Sequence, residues 1–289
     1  MTIAVTGANG EFGRAVVEAL LARRPDVELV ATVRDPAAAD ELDARGVDVR
    51  PGNFDDEAAL AAAFAGVDTV LINATFFGAD PSLRGDRVAR AIDAATSAGA
   101  SRILLTSWPD LDNCSLSSVQ DYVRSESALR AAGPEWTILR LGYGLADAVG
   151  RDVKWAIRDG ELVAPAGIAT CTPAAVRDLA EAAAIQTLDE STSGTTFELS
   201  GPDAVSWPEL AALAGEVAGR DIRYTAVTDD EWRARLTASG IPAGVTAALL
   251  DLYDVIRSGW ANTPTTTLAE VLGRQPVAGV DAVRARIGR

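Results

Sequence analysis

A glycine-rich turn separates an apolar run from a helical repeat at the start of the chain. The apolar run is Ile3-Ala4-Val5, and the turn, Thr-Gly-Ala-Asn-Gly-Glu-Phe-Gly, spans residues 6–13. A chain that leaves a strand and reverses tightly needs residues without a Cβ if its backbone N–H groups are to approach a pyrophosphate. Gly7, Gly10 and Gly13 occupy such places. The turn therefore predicts a dinucleotide-binding corner followed by a helix whose N-terminus faces the phosphates.

Composition limits the partners of the protein. The 289 residues are 48% hydrophobic, which is enough for a large core. The net charge of −15 disfavours nucleic acid and anionic membranes. The chain has neither a basic, apolar leader at its start nor an apolar run of roughly 20 residues. We expect a cytoplasmic protein that acts on a small molecule, as a monomer or homodimer.

The ionisable residues exclude several chemistries. Histidine is absent, and Cys114 and Cys171 are far apart in sequence. A metal site is therefore not expected, and His-based acid–base catalysis is excluded. Lysine occurs only at Lys154.

The first half of the chain alternates short apolar runs with helical patterns, which is typical of parallel strands joined by crossover helices. The pattern predicts an α/β fold with a doubly wound, Rossmann-type parallel sheet over residues 1–150. The candidate strands are Ile3–Thr6, Glu28–Val33, Val47–Arg50, Thr69–Asn73, Arg102–Thr106 and Thr137–Leu141. Ligands of such sheets bind beyond the carboxyl ends of the strands.

Residues 151–289 predict a smaller, mostly helical lobe over a substrate cleft, with one strand near 195–201 returning to the main sheet. Ser206 with Glu209 and Thr228 with Glu231 form capping-box patterns, so helices are expected to begin at the residues that follow Ser206 and Thr228. A short strand is expected over 222–227.

Arg34 and Asp35 follow the second strand, where dinucleotide-binding folds contact the adenosine ribose. A guanidinium group at this position binds the 2′-phosphate of NADP, whereas a carboxylate binds the 2′-hydroxyl of NAD. Arg34 favours NADPH, while Asp35 keeps NADH possible. Asn53 and Phe54 follow the third strand, where they are either adenine contacts or a turn residue and a core aromatic.

The ends of the fourth and fifth strands carry the candidates for chemistry. Small residues, Asn73-Ala74-Thr75, would let the backbone pass close to the nicotinamide ribose. Ser107 and Tyr122 look like the serine–tyrosine pair of short-chain dehydrogenases, in which a lysine four residues after the tyrosine lowers its pKa. Position 126 is glutamate here and this helix contains no lysine, so Tyr122 is either a proton donor without an assisting lysine or a packing residue.

Several runs resemble a known family. They are residues 3–10, Val33-Arg34-Asp35-Pro36, Gly52-Asn53-Phe54-Asp55-Asp56, Leu139-Arg140-Leu141-Gly142-Tyr143, Phe197-Glu198-Leu199-Ser200-Gly201 and Thr265-Thr266-Thr267-Leu268-Ala269-Glu270. Together they resemble the NmrA-like branch of atypical short-chain dehydrogenases/reductases, and within it the type-2 bacterial NAD(P)H:quinone oxidoreductases. That group has a lysine where this chain has Ser127. The lysine-assisted proton transfer and ribose contact are therefore not carried over to this chain.

The strand-end positions and the resemblance together predict an oxidoreductase site. The expected cofactor-binding residues are Thr6, Gly7, Asn9, Gly10, Glu11, Phe12, Gly13, Arg34, Asn53, Phe54, Asn73, Ala74, Thr75 and Ser107. The expected catalytic residues are Tyr122 and Ser107. The residues expected to face an aromatic substrate are Phe76, Phe77, Trp108 and Tyr143, although the first three also suit a core.

A quinone suits such a site. Hydride transfer to a ketone produces an alkoxide that needs a well-placed acid, whereas transfer to a quinone produces a delocalised hydroquinone anion. The sequence therefore predicts an NADPH-dependent reductase of quinones or related polycyclic aromatic carbonyl compounds. The alternatives are an NADP-binding sensor without turnover, a ketoreductase of an aromatic secondary metabolite and, least favoured, an epimerase.

Overall fold

The computed structural model describes residues 1–74, 83–116 and 119–288, with the side chains of Ala38 and Tyr143 excepted. Three predicted site residues, Thr75, Phe76 and Phe77, lie outside the described residues. The structure nevertheless includes every predicted strand of the main sheet.

The described strands, numbered in chain order, are β1 (Thr2–Thr6), β2 (Glu28–Val33), β3 (Asp48–Pro51), β4 (Thr69–Ile72), β5 (Arg102–Ser107), β6 (Glu135–Leu141), β7 (Leu162–Ala164), β8 (Thr170–Cys171), β9 (Thr195–Leu199), β10 (Val205–Ser206) and β11 (Tyr224–Ala226). All eight predicted strands are confirmed, with their ends shifted by at most two residues.

The described helices are α1 (Glu11–Arg23), α2 (Asp40–Asp43), α3 (Glu57–Ala63), α4 (Arg84–Ser97), α5 (Gln120–Ala131), α6 (Tyr143–Asp159), α7 (Val176–Leu188), α8 (Trp207–Ala218), α9 (Asp229–Ala238), α10 (Ala243–Arg257), α11 (Thr267–Leu272) and α12 (Gly279–Ile287). The two capping boxes are present, and α8 and α9 begin at the residues they predict.

The main sheet has the order β3-β2-β1-β4-β5-β6-β9, and β1 to β6 pair in parallel. Strand order reverses between β1 and β4, which creates the crevice at the carboxyl ends where such folds bind ligands. The predicted Rossmann-type fold is confirmed, including the return of β9 to the sheet.

Helices cover the sheet strands, which explains why the strands read as continuous apolar runs. Leu60 and Phe64 near α3, Ile92 of α4 and Leu129 of α5 belong to one buried cluster with strand residues such as Ile103. Elsewhere in the same part of the chain, α1 packs against α7. Both arrangements keep the strand backbone away from water.

The chain divides into two compact units. The first contains residues 1–111, 117–141 and 176–198, and the second contains residues 112–116, 142–175 and 199–289. Helix α7 lies in the first unit, although the sequence pattern assigned residues 151–289 to the lobe. Its alanine-rich segment is buried on most sides, so it lacks the amphipathic period that identifies helices of a surface layer.

The second unit has its own core. Two small sheets join β8 with β10 and β7 with β11. Trp232 packs edge-on against Tyr253, with ring centroids 4.8 Å apart. The buried Asp152 carboxylate accepts hydrogen bonds from the Tyr253 hydroxyl and, at 3.4 Å, from the Trp207 indole.

Among the helices of the described residues, none combines the length and apolar character needed to cross a membrane.

Candidate functional site

The glycine-rich turn forms a close backbone cradle between β1 and α1. Gly7 has a φ of +63°, in the left-handed region where a Cβ is unfavourable. The Gly10 N–H donates to the Gly7 carbonyl at 2.9 Å. A Cβ on Gly13 would lie 2.4 Å from the same carbonyl oxygen, so this position accepts only glycine without a backbone shift. The turn has the geometry that a bound pyrophosphate requires.

The neighbouring residues of the turn have different surroundings. Phe12 is a buried residue of α1, while Glu11 is partly exposed in the first turn of that helix. The Asn9 amide donates to the Asp35 carbonyl at 3.3 Å, but its Oδ1 atom is buried and has no hydrogen-bond partner among the described residues. An orphaned acceptor of this kind fits a ligand that brings its own donor, such as a ribose hydroxyl.

A hydroxyl network fixes the carboxyl ends of β1, β4 and β5. The Asn73 backbone N–H donates to Thr6 Oγ1 and the Ala74 N–H donates to Thr106 Oγ1, both at 2.8 Å. The Thr106 hydroxyl in turn donates to Asn73 Oδ1 at 3.2 Å. These bonds hold the backbone after β4 in place at the point where strand order reverses.

The two charged residues that follow β2 have different surroundings. The Asp35 carboxylate accepts a hydrogen bond from the Ala37 N–H at 3.1 Å and caps a short 3₁₀ turn. Arg34 is exposed and forms no ion pair with the residues that the structure describes. An unpaired guanidinium at this position suits a 2′-phosphate.

The third strand ends in a turn. The exposed Asn53 side chain accepts a hydrogen bond from the Asp55 N–H at 3.1 Å. Phe54 is buried in the core cluster. The surroundings of the pair match a turn residue and a core aromatic, and their contact with adenine stays a prediction.

Ser107, the last residue of β5, lies in a buried polar network. Its hydroxyl donates to Glu126 Oε1 at 2.7 Å. Glu126 is 1% exposed, and both of its oxygens accept hydrogen bonds from Arg140, from Nε and Nη2 at 2.9 Å each. Arg130 adds a third donor at 3.0 Å. The glutamate at the position of the usual lysine is thus the centre of an ion-pair network.

The network determines the charge of Glu126. Burial by itself raises the pKa of this carboxyl, but the hydrogen bonds from Arg140 and Ser107 and the charges of Arg140 and Arg130 outweigh it. The pKa of Glu126 therefore lies below its ordinary value, and the side chain is ionised at neutral pH. An ionised carboxylate is an acceptor only, so the shared proton belongs to Ser107.

Arg140 also connects this network to the segment after β5. It donates to Glu198 Oε1 at 2.9 Å, and Glu198 Oε2 accepts the Asp110 backbone N–H at 2.9 Å. Asp110 has a φ of +43°, a conformation that few residues other than glycine adopt. Sequence reasoning assigned no role to Arg140 or Glu198, although both lie within the runs that resemble the family.

Tyr122 is 9% exposed on α5. Its ring centroid lies 5.7 Å from that of Trp108, and the Arg84 guanidinium carbon lies 4.7 Å from the Tyr122 ring centroid. Burial raises the pKa of Tyr122, which the positive charge of Arg84 partly opposes. A cation therefore lies beside the tyrosine, but it comes from α4 and was not predicted.

The structure brings Ser107, Trp108 and Tyr122 into one part of the first unit. Tyr143 begins α6, and its side chain is not described. Among the described residues, no group of histidine, cysteine or carboxylate side chains is arranged to hold a metal.

The parallel sheet and the glycine cradle define a dinucleotide-binding protein of the Rossmann class. Residues 7–184 match the NAD(P)H-binding family, and the chain belongs to that family. The predicted NmrA-like resemblance, the NAD(P)H cofactor and the assignment as an NAD(P)H-dependent oxidoreductase are confirmed.

Three comparisons illustrate the similarity. Quinone oxidoreductase 2 of Escherichia coli is 31% identical over 93% of this chain and 96% of its own length. The crystal structure of an NADPH-dependent quinone oxidoreductase from E. coli, complexed with NADPH, superposes with a TM-score of 0.90 at 29% identity, covering 98% of this chain and 99% of that one. Triphenylmethane reductase of Citrobacter sp., complexed with NADP(H), has a TM-score of 0.90 at 26% identity, covering 99% and 100% of the respective chains.

Proposed function

We propose that this protein reduces quinones, or related polycyclic aromatic carbonyl compounds, with NADPH as the hydride donor. The cofactor supplies a hydride. The chain's own residues bind the diphosphate, orient the nicotinamide end and hold a flat substrate near it. The similarity to quinone oxidoreductase 2 of E. coli, in sequence and in solved structure and over nearly the whole chain, supports this substrate class.

The cofactor preference is supported by the end of β2. Arg34 is exposed without an ion pair among the described residues, whereas the Asp35 carboxylate is engaged by the Ala37 N–H. A 2′-phosphate would gain a charge-assisted contact with Arg34, whereas the Asp35 carboxylate caps the turn that follows through its bond from the Ala37 N–H. NADPH is therefore the proposed physiological donor.

The single observation that carries the substrate class is the commitment of the Ser107 proton to Glu126 at 2.7 Å. A ketone reductase of the short-chain type uses its serine and tyrosine as donors to the carbonyl oxygen. Here the serine donor is occupied and the tyrosine is nearly buried, with burial raising its pKa. A quinone needs little acid catalysis because its reduced anion is delocalised.

The test is a panel assay of NADPH oxidation with naphthoquinones, polycyclic aromatic ketones and simple ketones, run beside a cofactor-binding titration. The proposal expects turnover with quinones, and little with simple ketones. Faster turnover with aromatic ketones than with quinones would favour a ketoreductase. Tight NADP binding without turnover of any acceptor would favour a sensor.

A further inference from the structure

The hydrogen-bond polarity of Ser107 is fixed by its surroundings. A serine hydroxyl has one proton to donate and two lone pairs that accept. The proton is donated to Glu126, and Arg140 and Arg130 keep that carboxylate ionised. Ser107 therefore offers a ligand only its lone pairs.

The position of Ser107 indicates which ligand group it meets. In a doubly wound sheet, each half binds one mononucleotide. The glycine turn and Arg34 belong to the half formed by β1 to β3, which leaves the nicotinamide to the half formed by β4 to β6. Ser107 is the residue at the carboxyl end of β5 in that second half.

The ligand group must be a donor. A quinone carbonyl is an acceptor and gains nothing from the Ser107 lone pairs. The nicotinamide carboxamide carries an NH₂ group, on the ring carbon next to the one that releases the hydride. The cofactor brings two kinds of donor to this end of the site, the ribose hydroxyls and this NH₂ group, and only the NH₂ group belongs to the ring that carries the hydride.

We infer that Ser107 accepts a hydrogen bond from the carboxamide NH₂ of the nicotinamide, and that Glu126, held by Arg140, is the positioning residue that keeps Ser107 an acceptor. The inference rests on the cofactor orientation of the proposed function. It assigns Ser107 to cofactor recognition instead of proton transfer to the substrate.

Cofactor analogues test this polarity without turnover. NADP⁺, its thionicotinamide analogue and its 3-acetylpyridine analogue are titrated into the protein by calorimetry. The thionicotinamide analogue keeps the NH₂ donor, whereas the acetylpyridine analogue replaces it with a methyl group. The wild-type protein should bind the acetylpyridine analogue about fivefold to tenfold more weakly than the other two, the effect of one net hydrogen bond.

Substitutions at position 107 locate the effect. Ser107→Ala should lose affinity for NADP⁺ and the thionicotinamide analogue, leave the acetylpyridine analogue unchanged, and so abolish the discrimination. Ser107→Thr keeps the hydroxyl and should retain the discrimination between NADP⁺ and the acetylpyridine analogue. Ser101→Ala is the matched control, because Ser101 is exposed immediately before the opposite end of β5 and bonds the Asp68 carbonyl.

Binding of 2′,5′-ADP, which lacks the nicotinamide, shows that each variant has a folded cofactor site. Equal wild-type affinity for the acetylpyridine analogue and NADP⁺ overturns the inference without any variant. Unchanged discrimination in Ser107→Ala that binds 2′,5′-ADP normally also overturns it. Because no acceptor is present, either result is independent of whether the protein reduces quinones.

Discussion

The two ends of the proposed cofactor site differ in the groups that form them. At the β1 end, backbone groups and glycines form the cradle, with a Cβ on Gly13 placed 2.4 Å from the Gly7 carbonyl oxygen. At the β5 end, ionised side chains from α5, β6 and β9 meet around Arg140. The first end is specified by the absence of side chains within one short segment, and the second by side chains far apart in sequence.

This difference separates binding from orientation. A backbone cradle can accept any dinucleotide diphosphate, so we propose that specificity at that end depends on the exposed Arg34. The buried network positions Ser107 and Asp110, and therefore the segment that carries Trp108. Substitutions at the two ends should consequently produce different kinds of defect.

Arg140→Met should cause the largest effect, on stability. It leaves the buried Glu126 and the partly buried Glu198 without their shared partner, a change that costs about 3–5 kcal/mol when a buried pair is broken. Urea denaturation would measure it. The double variant with Glu126→Gln should recover part of the loss, and equal stability of wild type and Arg140→Met would show that the network is unimportant.

Gly13→Ala should damage binding instead. The added methyl forces the Gly7 carbonyl to move, and we expect NADPH affinity to fall on the order of a hundredfold. Fluorescence titration measures the affinity. Gly244→Ala is a control, because a Cβ there meets no atom within 4 Å. Normal NADPH binding by Gly13→Ala would contradict the cradle assignment.

Arg34→Ala should change selectivity at the adenosine end. Loss of a charge-assisted contact to the 2′-phosphate should reduce the preference for NADPH over NADH by about tenfold. The ratio of kcat/KM values for the two cofactors measures it. Arg45→Ala provides a control, since Arg45 is an exposed arginine beyond α2, beside Glu18. An unchanged ratio would exclude Arg34 from cofactor selection.

Tyr122→Phe should cause the smallest effect. The ring keeps its packing against Trp108 and Arg84, and a quinone does not need the hydroxyl proton in the transfer step. Turnover with a naphthoquinone should change by less than about threefold, well below the hundredfold loss expected for a general acid. A loss of hundredfold size would restore Tyr122 as the proton donor.

The elements that the sequence predicted are those with a local signal. The strands of the main sheet are short apolar runs, and α8 and α9 begin with capping boxes. Each of these elements can therefore be identified from a few consecutive residues. Helix α6 begins with Tyr143-Gly144, and α7 is alanine-rich, so neither displays a clear start signal and period together. Helix α6 has no side-chain cap at its start, and α7 is buried on most sides, so neither was predicted as a separate helix.

The candidate site divides in the same way. The sequence by itself determined the cradle of Gly7, Gly10 and Gly13 and the charge at position 34, because backbone conformation and strand ends are local properties. Only the tertiary structure decided that Glu126 binds Arg140, that Ser107 has committed its proton, and that Arg84 lies over Tyr122. Those facts depend on which side chains folding brings within hydrogen-bond distance, and residue order alone carries no such information.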